Sequence, residues 1–261
     1  MSIERISALL AKAERTDNEH EAEAYLMKAQ ALATAASISI AVAQAHIEQR
    51  EQRHLPQSRT VTIGEKGKRA NQHLISLFIG TAHANDVKVD IASNSTFVIA
   101  YGMPADLDVT ETLFTSLAVQ MINAGHRWVA QGDWRGETYV SITRLRRRSV
   151  RKVRPHTAQT VRVAFYRAYI ERISERLQQA RTEVLVSQGA TTASTALVLR
   201  DKQARVADFH QSTSQARGSW HGYSGQMRGD LGGASRAGRR AADGARLSQQ
   251  AQIAAKPPIA R

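Results

Sequence analysis

The sequence predicts a mainly helical α+β protein, and three observations carry that prediction. Alanine dominates the apolar residues while aromatics make up only 5%, a composition that favours helix over an all-β sandwich. Apolar residues recur at helical spacing through several long runs, whereas stretches with strand-like alternation are short and few. The expected organisation is an N-terminal helical hairpin module (1–55), a central domain in which a small antiparallel sheet packs on helices and which ends in a long basic helix (56–190), and a C-terminal helix with a Gly/Arg-rich, partly flexible tail (191–261). A chain of 261 residues that is 42% hydrophobic can bury a substantial core.

The elements follow in order. Ile3, Ile6, Leu9, Leu10 and Ala13 keep helical spacing until Thr16-Asp17-Asn18 breaks the run. Asn18 then suits a cap with Glu21 reaching back to it, and Ala22, Tyr25, Leu26, Ala29, Leu32, Ala33 and Ala36 continue a second stripe. Ile40 to Gln52 allows a third helix. The module carries six bases against eight acids, which makes it a poor phosphate grip and a better surface to dock on a protein partner or on the basic helix of the same chain. Thr60 to Ile63 reads as a strand, Arg69 to Ala84 as a helix, and Val87 to Ile91 with Thr96 to Tyr101 as a hairpin around Ser93-Asn94-Ser95. Pro104 suits the first turn of the next helix, which runs to about Ala130. Thr138 to Ile142 fits a strand, but Gly132, Gly136 and the arginines that follow fit an exposed loop equally well.

The run ISALLAKAERTDNEHEAEAYLMKAQALATAASIS resembles the short N-terminal helical module of the family catalogued as domain of unknown function 2786, found in bacterial and phage proteins. The features that match are Lys12-Ala13 at the end of the first helix, Asn18-x-His20-Glu21-Ala22 at the start of the second, and Lys28-Ala29-Gln30 within it. A weaker likeness continues through YGMPADLDVTETLFTSLAVQM and VAFYRAYIERISERL to about residue 245. The resemblance implies no activity and no catalytic residues. One departure is Ala36-Ser37-Ile38-Ser39, where the family commonly has a Gly-bearing turn.

Charge is concentrated in one segment. From Ser141 to Arg181 there are twelve Lys or Arg against two acids, Glu171 and Glu175, which is +10 of a total formal charge of +13. Arg144, Arg146, Arg147, Arg148, Arg151, Lys152 and Arg154 precede Pro155 with no acid among them, so a phosphate-binding role is expected for this cluster. Beyond it Val161, Phe165, Ala168, Ile173, Leu177, Ala180 and Val184 form the buried face of a helix, with Arg162, Arg167, Arg172, Arg176 and Arg181 expected on or beside its solvated face. Trp134 and Tyr139 flank the cluster and are candidates for stacking on bases, while Phe165 and Tyr169 are expected in the core. Thr195 to Phe209 should be helical. From Gly218 to Gly244 lie eight of the sixteen glycines, interleaved with Arg236, Arg239 and Arg240, which join the candidate phosphate contacts. This segment reads as a flexible basic tail, or else as a helix that meets a partner backbone through small residues.

Motifs of chemistry are mostly excluded. The chain has no cysteine, hence no disulfide and no thiolate, which suits a cytoplasmic protein. The N-terminus has no apolar core for a signal or anchor, and no membrane contact is expected. His20-Glu21-Ala22-Glu23-Ala24 places alanine where a zinc-protease helix needs its second histidine, and Gly64-Glu65-Lys66-Gly67-Lys68-Arg69 lacks the spacing and hydroxyl of a phosphate loop. Neither a metal nor a cofactor is expected. Asp86, Asp90, Asp106, Asp108 and Glu111 would serve a metal-dependent hydrolase or nuclease only if they converged, and helix-start acids beside Pro104 are the plainer explanation. The function expected is non-enzymatic, sequence-independent binding of DNA or RNA. The alternatives are that hydrolase and a bacterial or phage interaction protein whose arginines meet an acidic protein surface.

Overall fold

The computed structural model describes residues 9, 24, 25, 27–35, 37, 55–145, 148–187, 193–218, 220 and 232–245. Its elements run β1 (Gln57–Thr62), α1 (Ala70–Ala84), β2 (Lys88–Ile91), β3 (Phe97–Gly102), α2 (Pro104–Gln131), β4 (Thr138–Leu145), β5 (Arg148–Pro155), α3 (Ala158–Ser187), α4 (Ala193–Thr213) and α5 (Gly232–Asp243). Most boundaries lie within a few residues of those read from the sequence. The first helix up to Thr16, the cap at Asn18 and Glu21, the third helix from Ile40 to Gln52 and the chain beyond Ala245 fall outside the described residues.

The first three strands form one antiparallel sheet in the order β1-β3-β2, with Thr60 opposite Ile99 and Asp90 also opposite Ile99. Because β3 is central, α1 must cross over between the two edge strands. The β2–β3 turn puts Ser95 at φ 59°, and the Asn94 side chain accepts hydrogen bonds from the Thr96 backbone N–H (3.1 Å) and hydroxyl (2.8 Å), which fixes the reversal. At α2, Pro104 occupies the first turn and Gly132 ends the helix in the left-handed conformation at φ 82°.

The long basic helix α3 is the axis of the molecule, with α1, α2 and α5 packed around it. It begins at a reciprocal cap: the Thr160 N–H donates to the Thr157 hydroxyl (3.2 Å) and the Thr157 N–H to the Thr160 hydroxyl (2.9 Å). Its inward stripe, Val161, Phe165, Ala168, Ile173, Leu177, Ala180 and Val184, is buried as the periodicity predicts, and Tyr169 is buried beside it. Phe78 meets Phe114 edge-on at 5.1 Å and Trp128 stacks on Phe165 at 5.8 Å. Full burial of a side chain of this kind contributes about 1.5–3 kcal/mol, so α3 contributes most of its stabilisation through this face.

The opposite face differs from the expectation of a solvated row of arginines. Arg176 is 3% exposed and donates to the backbone carbonyls of Ala242 and Asp243 at the end of α5. Arg172 pairs with Asp243 at 2.6 Å. Arg181 donates to the Ala84 carbonyl (2.7 Å) at the end of α1. Unsatisfied carbonyls and the negative end of the dipole gather at a helix C-terminus, so each guanidinium meets a ready acceptor there. Much of the helix's charge is therefore structural. Only Arg167, paired with Glu171 at 2.9 Å, stands exposed as expected.

The Gly/Arg-rich segment also departs from a flexible tail, since its described part, α5, is a helix laid closely on α3. Ala234, Ala237, Gly238 and Ala242 form its buried face, and the bare Cα of Gly238 lies against the Phe165 carbonyl. The small residues bring two backbones together, as the alternative reading held. The N-terminal module packs inward too. Ala29 joins the main core, Ala35 meets Val184, and the Gln30 amide donates to Asn85 at 3.4 Å.

Candidate nucleic-acid interface

The described members of the basic cluster, Arg144, Arg148, Arg151, Lys152 and Arg154, lie on two paired strands and not on a loop. β4 and β5 pair antiparallel from Thr138 opposite Pro155 to Leu145 opposite Arg148. Thr138, Val140, Ile142, Thr143, Val150 and Val153 supply the β-branched side chains that suit a pleated strand, with no Gly in either one and Pro155 only at the end of β5. Arginine tolerates an exposed strand well enough for those residues to decide. Besides pairing with each other, neither strand packs substantially on any other described helix or strand. The hairpin is therefore an arm.

Its base is held firmly. The His156 N–H donates to the Glu137 carbonyl (3.0 Å), and Trp134 donates its indole N–H to the Val129 carbonyl (3.0 Å) while packing beside Val129 and Val161. Trp134 thus ties the arm to the end of α2, and its partly buried ring is committed to packing instead of being held out for a base. Tyr139 sits opposite Arg154 in the register. Arg151, Lys152 and Arg154 are exposed along β5, Arg144 and Arg148 stand at the paired positions Arg144–Ser149 and Leu145–Arg148, and Arg146 and Arg147 lie outside the described residues. Val153 is 70% and its cross-strand partner Val140 44% exposed. In α5, Arg236 and Arg240 are exposed, and Arg239, also exposed, makes a two-pronged surface ion pair with Glu175 at 3.1 Å for each bond.

The five carboxylates separate into three groups, each closed by its own partners. Asp108 and Glu111 hold Arg59 at 2.8 and 3.0 Å, tying α2 to β1. Asp90 accepts from the Tyr101 hydroxyl (2.9 Å) and the Ser214 hydroxyl (2.6 Å) and contacts His210 Nε2 at 2.9 Å, so it anchors the end of α4 on the sheet. Burial and the Asp90 carboxylate push the Tyr101 phenol up to about 12. The third group is the most buried. Lys202 of α4 reaches Asp86 at 3.2 Å and Asp106 at 2.8 Å and donates to the Ser37 hydroxyl, while Arg181 pairs with Asp86 at 2.5 Å. Among the described residues, no group of three or more His, Asp or Glu is placed to hold a metal ion.

This third group is also where the N-terminal helical residues meet the rest of the molecule, with Thr34 and Ser37 beside Asn85, Asp86 and Leu199. The sequence match falls on that same segment. Residues 2–39 match the family model described as a protein of unknown function, DUF2786. Neither a curated protein nor a solved structure matches the chain. The described part of the matched segment packs beside the end of α1, α3 and α4 of its own chain. No helix among the described residues is long and apolar enough to cross a membrane.

The charge network carries a pH dependence. Burial alone would raise the Asp86 carboxyl, but the Lys202 and Arg181 charges, with hydrogen bonds from Gln203 and Arg181, outweigh it and hold the group below its ordinary value of 3.8. A carboxyl lowered by folding contributes stability that is present above its unfolded value and is lost as the pH falls through the folded one. The thermal midpoint should therefore hold down to about pH 4 and fall below it. Asp86→Asn should melt lower than the parent at neutral pH and show a shallower acid decline. A decline as steep as the parent's would remove Asp86 from the account.

Proposed function

We propose that this protein binds nucleic acid without catalysis, through phosphate contacts made by the β4–β5 arm. The observation that carries the reading is the arm itself: eighteen residues from Thr138 to Pro155 without one acid, with Arg151, Lys152 and Arg154 exposed and no core to cover them. An ordinary solvated surface interleaves acids with its bases, as α3 does with Arg167 and Glu171. A cationic run stripped of acids carries a self-repulsion that a polyanion relieves. Arg236 and Arg240 add charge on α5, and Tyr139, in the first strand of the arm, is the aromatic we assign to stacking on bases. The placement lends no support to a metal-dependent hydrolase, since each candidate carboxylate already has partners.

Fluorescence anisotropy against mixed-sequence DNA and RNA, repeated over a range of salt, tests the reading. Binding should depend little on sequence and fall linearly in log–log form with salt as counterions are released. Arg151→Ala, Lys152→Ala and Arg154→Ala together should reduce the slope by about two to three units, at about 0.7–0.9 per phosphate contact. Their exposure means that helicity and melting should not change. An unchanged slope would take the arm off the phosphate path. No binding at low salt would instead favour the rival reading, an acidic protein surface as the arm's partner.

A further inference from the structure

We infer that the arm enters the major groove of double-stranded DNA, and that this groove, in preference to a single strand or an RNA duplex, is the surface it fits. The inference rests on the nucleic-acid reading above and narrows it to one form of partner. Successive residues of a strand point to opposite faces, so Lys152 and Arg154 lie on one face of the ribbon and Arg151 on the other. All three are exposed. A sheet that lies on a flat partner presents its cations on one face and covers the other with its own core. Among the described side chains of the arm, exposed residues lie on both faces, Lys152 and Arg154 on one and Arg151, Val140 and Val153 on the other. That distribution suits a channel with phosphates along both walls, which is what a duplex groove provides.

Dimensions decide which groove. A two-stranded ribbon, with strands about 4.8 Å apart and side chains standing off both faces to a thickness of about 10 Å, enters a major groove about 12 Å wide but not an undeformed minor groove about 6 Å wide. The major groove of A-form RNA is deep and too narrow for side chains to read. Strands of eight residues rise about 27 Å, enough to follow most of one helical turn of about 34 Å. Between the cations lies the exposed pair Val140 and Val153, cross-strand neighbours on one face. Phosphate contacts alone give that pair nothing to meet. The floor of a major groove offers thymine methyl groups, the apolar feature that distinguishes it from both the minor groove and the phosphate ridges.

The test compares four labelled probes of one mixed sequence with the full chain: a DNA duplex, its single strand, the matching RNA duplex, and a DNA duplex whose major groove is filled by glucosylated hydroxymethylcytosine. The plain DNA duplex should bind about tenfold more tightly than each of the other three. Netropsin, which fills the minor groove, should change its affinity by less than about twofold. In the variant lacking Arg151, Lys152 and Arg154 the preference for duplex should disappear. Equal binding of duplex and single strand, or displacement by netropsin with the glucosylated duplex still bound, overturns the groove assignment while salt-dependent binding stands. Absence of binding to every probe at low salt overturns the nucleic-acid reading itself.

Discussion

Gly238→Val should lower the melting temperature more than any other single substitution of a small residue in α5. A β-carbon at Gly238 would land on the main-chain carbonyl of Phe165 and 3.2 Å from the Ala168 methyl. A side chain can swing aside, but this obstacle is the backbone of the central helix. Relief requires α5 to lift from α3, which opens the face of Ala234, Ala237 and Ala242 and draws Ala242 and Asp243 away from Arg176 and Arg172. Overpacking of this kind costs about 3 kcal/mol at the upper end of its usual range, or about 6–12 °C for a protein of this size. The start of α5 lies against Glu137 at the base of the arm, since a β-carbon at Gly233 would meet that carboxylate at 2.5 Å. A displaced α5 should therefore also loosen the arm. Gly244→Ala is the control, because its new methyl meets only the Arg240 carbonyl at an ordinary 3.7 Å. Should the valine variant melt with the parent, α5 is not seated on α3 as described.

The fold was legible where periodicity carries the information. Helix α3 shows its buried stripe from Val161 to Val184 in the sequence because burial is enforced every 3.6 residues along one rigid element. The sheet strands were readable for the equivalent reason, short β-branched runs bounded by Gly, Asn and Ser. Other features were less legible, most of them because they depend on partners elsewhere in the chain. The arm is only half legible: Thr138 to Ile142 fits a strand and an exposed loop equally well, and from Arg148 to Pro155 the arginines mask the strand signal of Val150 and Val153. Counting those valines as strand positions opposite Thr143 and Val140 would have found the hairpin. The arginines of α3 looked solvated because a sequence shows that a residue is off the apolar stripe, not that a helix end from another part of the chain is waiting there. The ion pair of Arg239 with Glu175 and the packing of Trp134 were hidden in the same way. The carboxylates could be listed from the sequence, but their grouping could not: Asp86 and Asp106 converge only because α4 returns across both.

Lys202→Met is expected to be the most destabilising substitution among the charged residues. Lys202 is 6% exposed, and its ammonium lies between two acids, Asp86 at 3.2 Å and Asp106 at 2.8 Å. Methionine keeps the length and apolar character of the stem but removes the charge, so packing changes little and the electrostatic loss dominates. Asp86 retains Arg181. Asp106, 4% exposed, loses its ion-pair partner and keeps only the favourable dipole at the first turn of α2. Breaking a buried pair from one side typically costs about 3–5 kcal/mol, because the remaining charge is neither solvated nor paired. The effect should be felt across the junction, since Lys202 also donates to Ser37 of the segment that matches the DUF2786 model and thereby links α4, α2 and the N-terminal helical residues. Adding Asp106→Asn to Lys202→Met should recover part of the loss, because the double variant no longer buries a lone carboxylate, and a thermodynamic cycle over the four proteins should show a coupling of about 1–3 kcal/mol. A purely steric role for Lys202 predicts the opposite, a double variant less stable than either single one. Chemical denaturation of the four proteins at neutral pH separates these outcomes, and strict additivity would mean that Lys202 and Asp106 do not sense each other's charge.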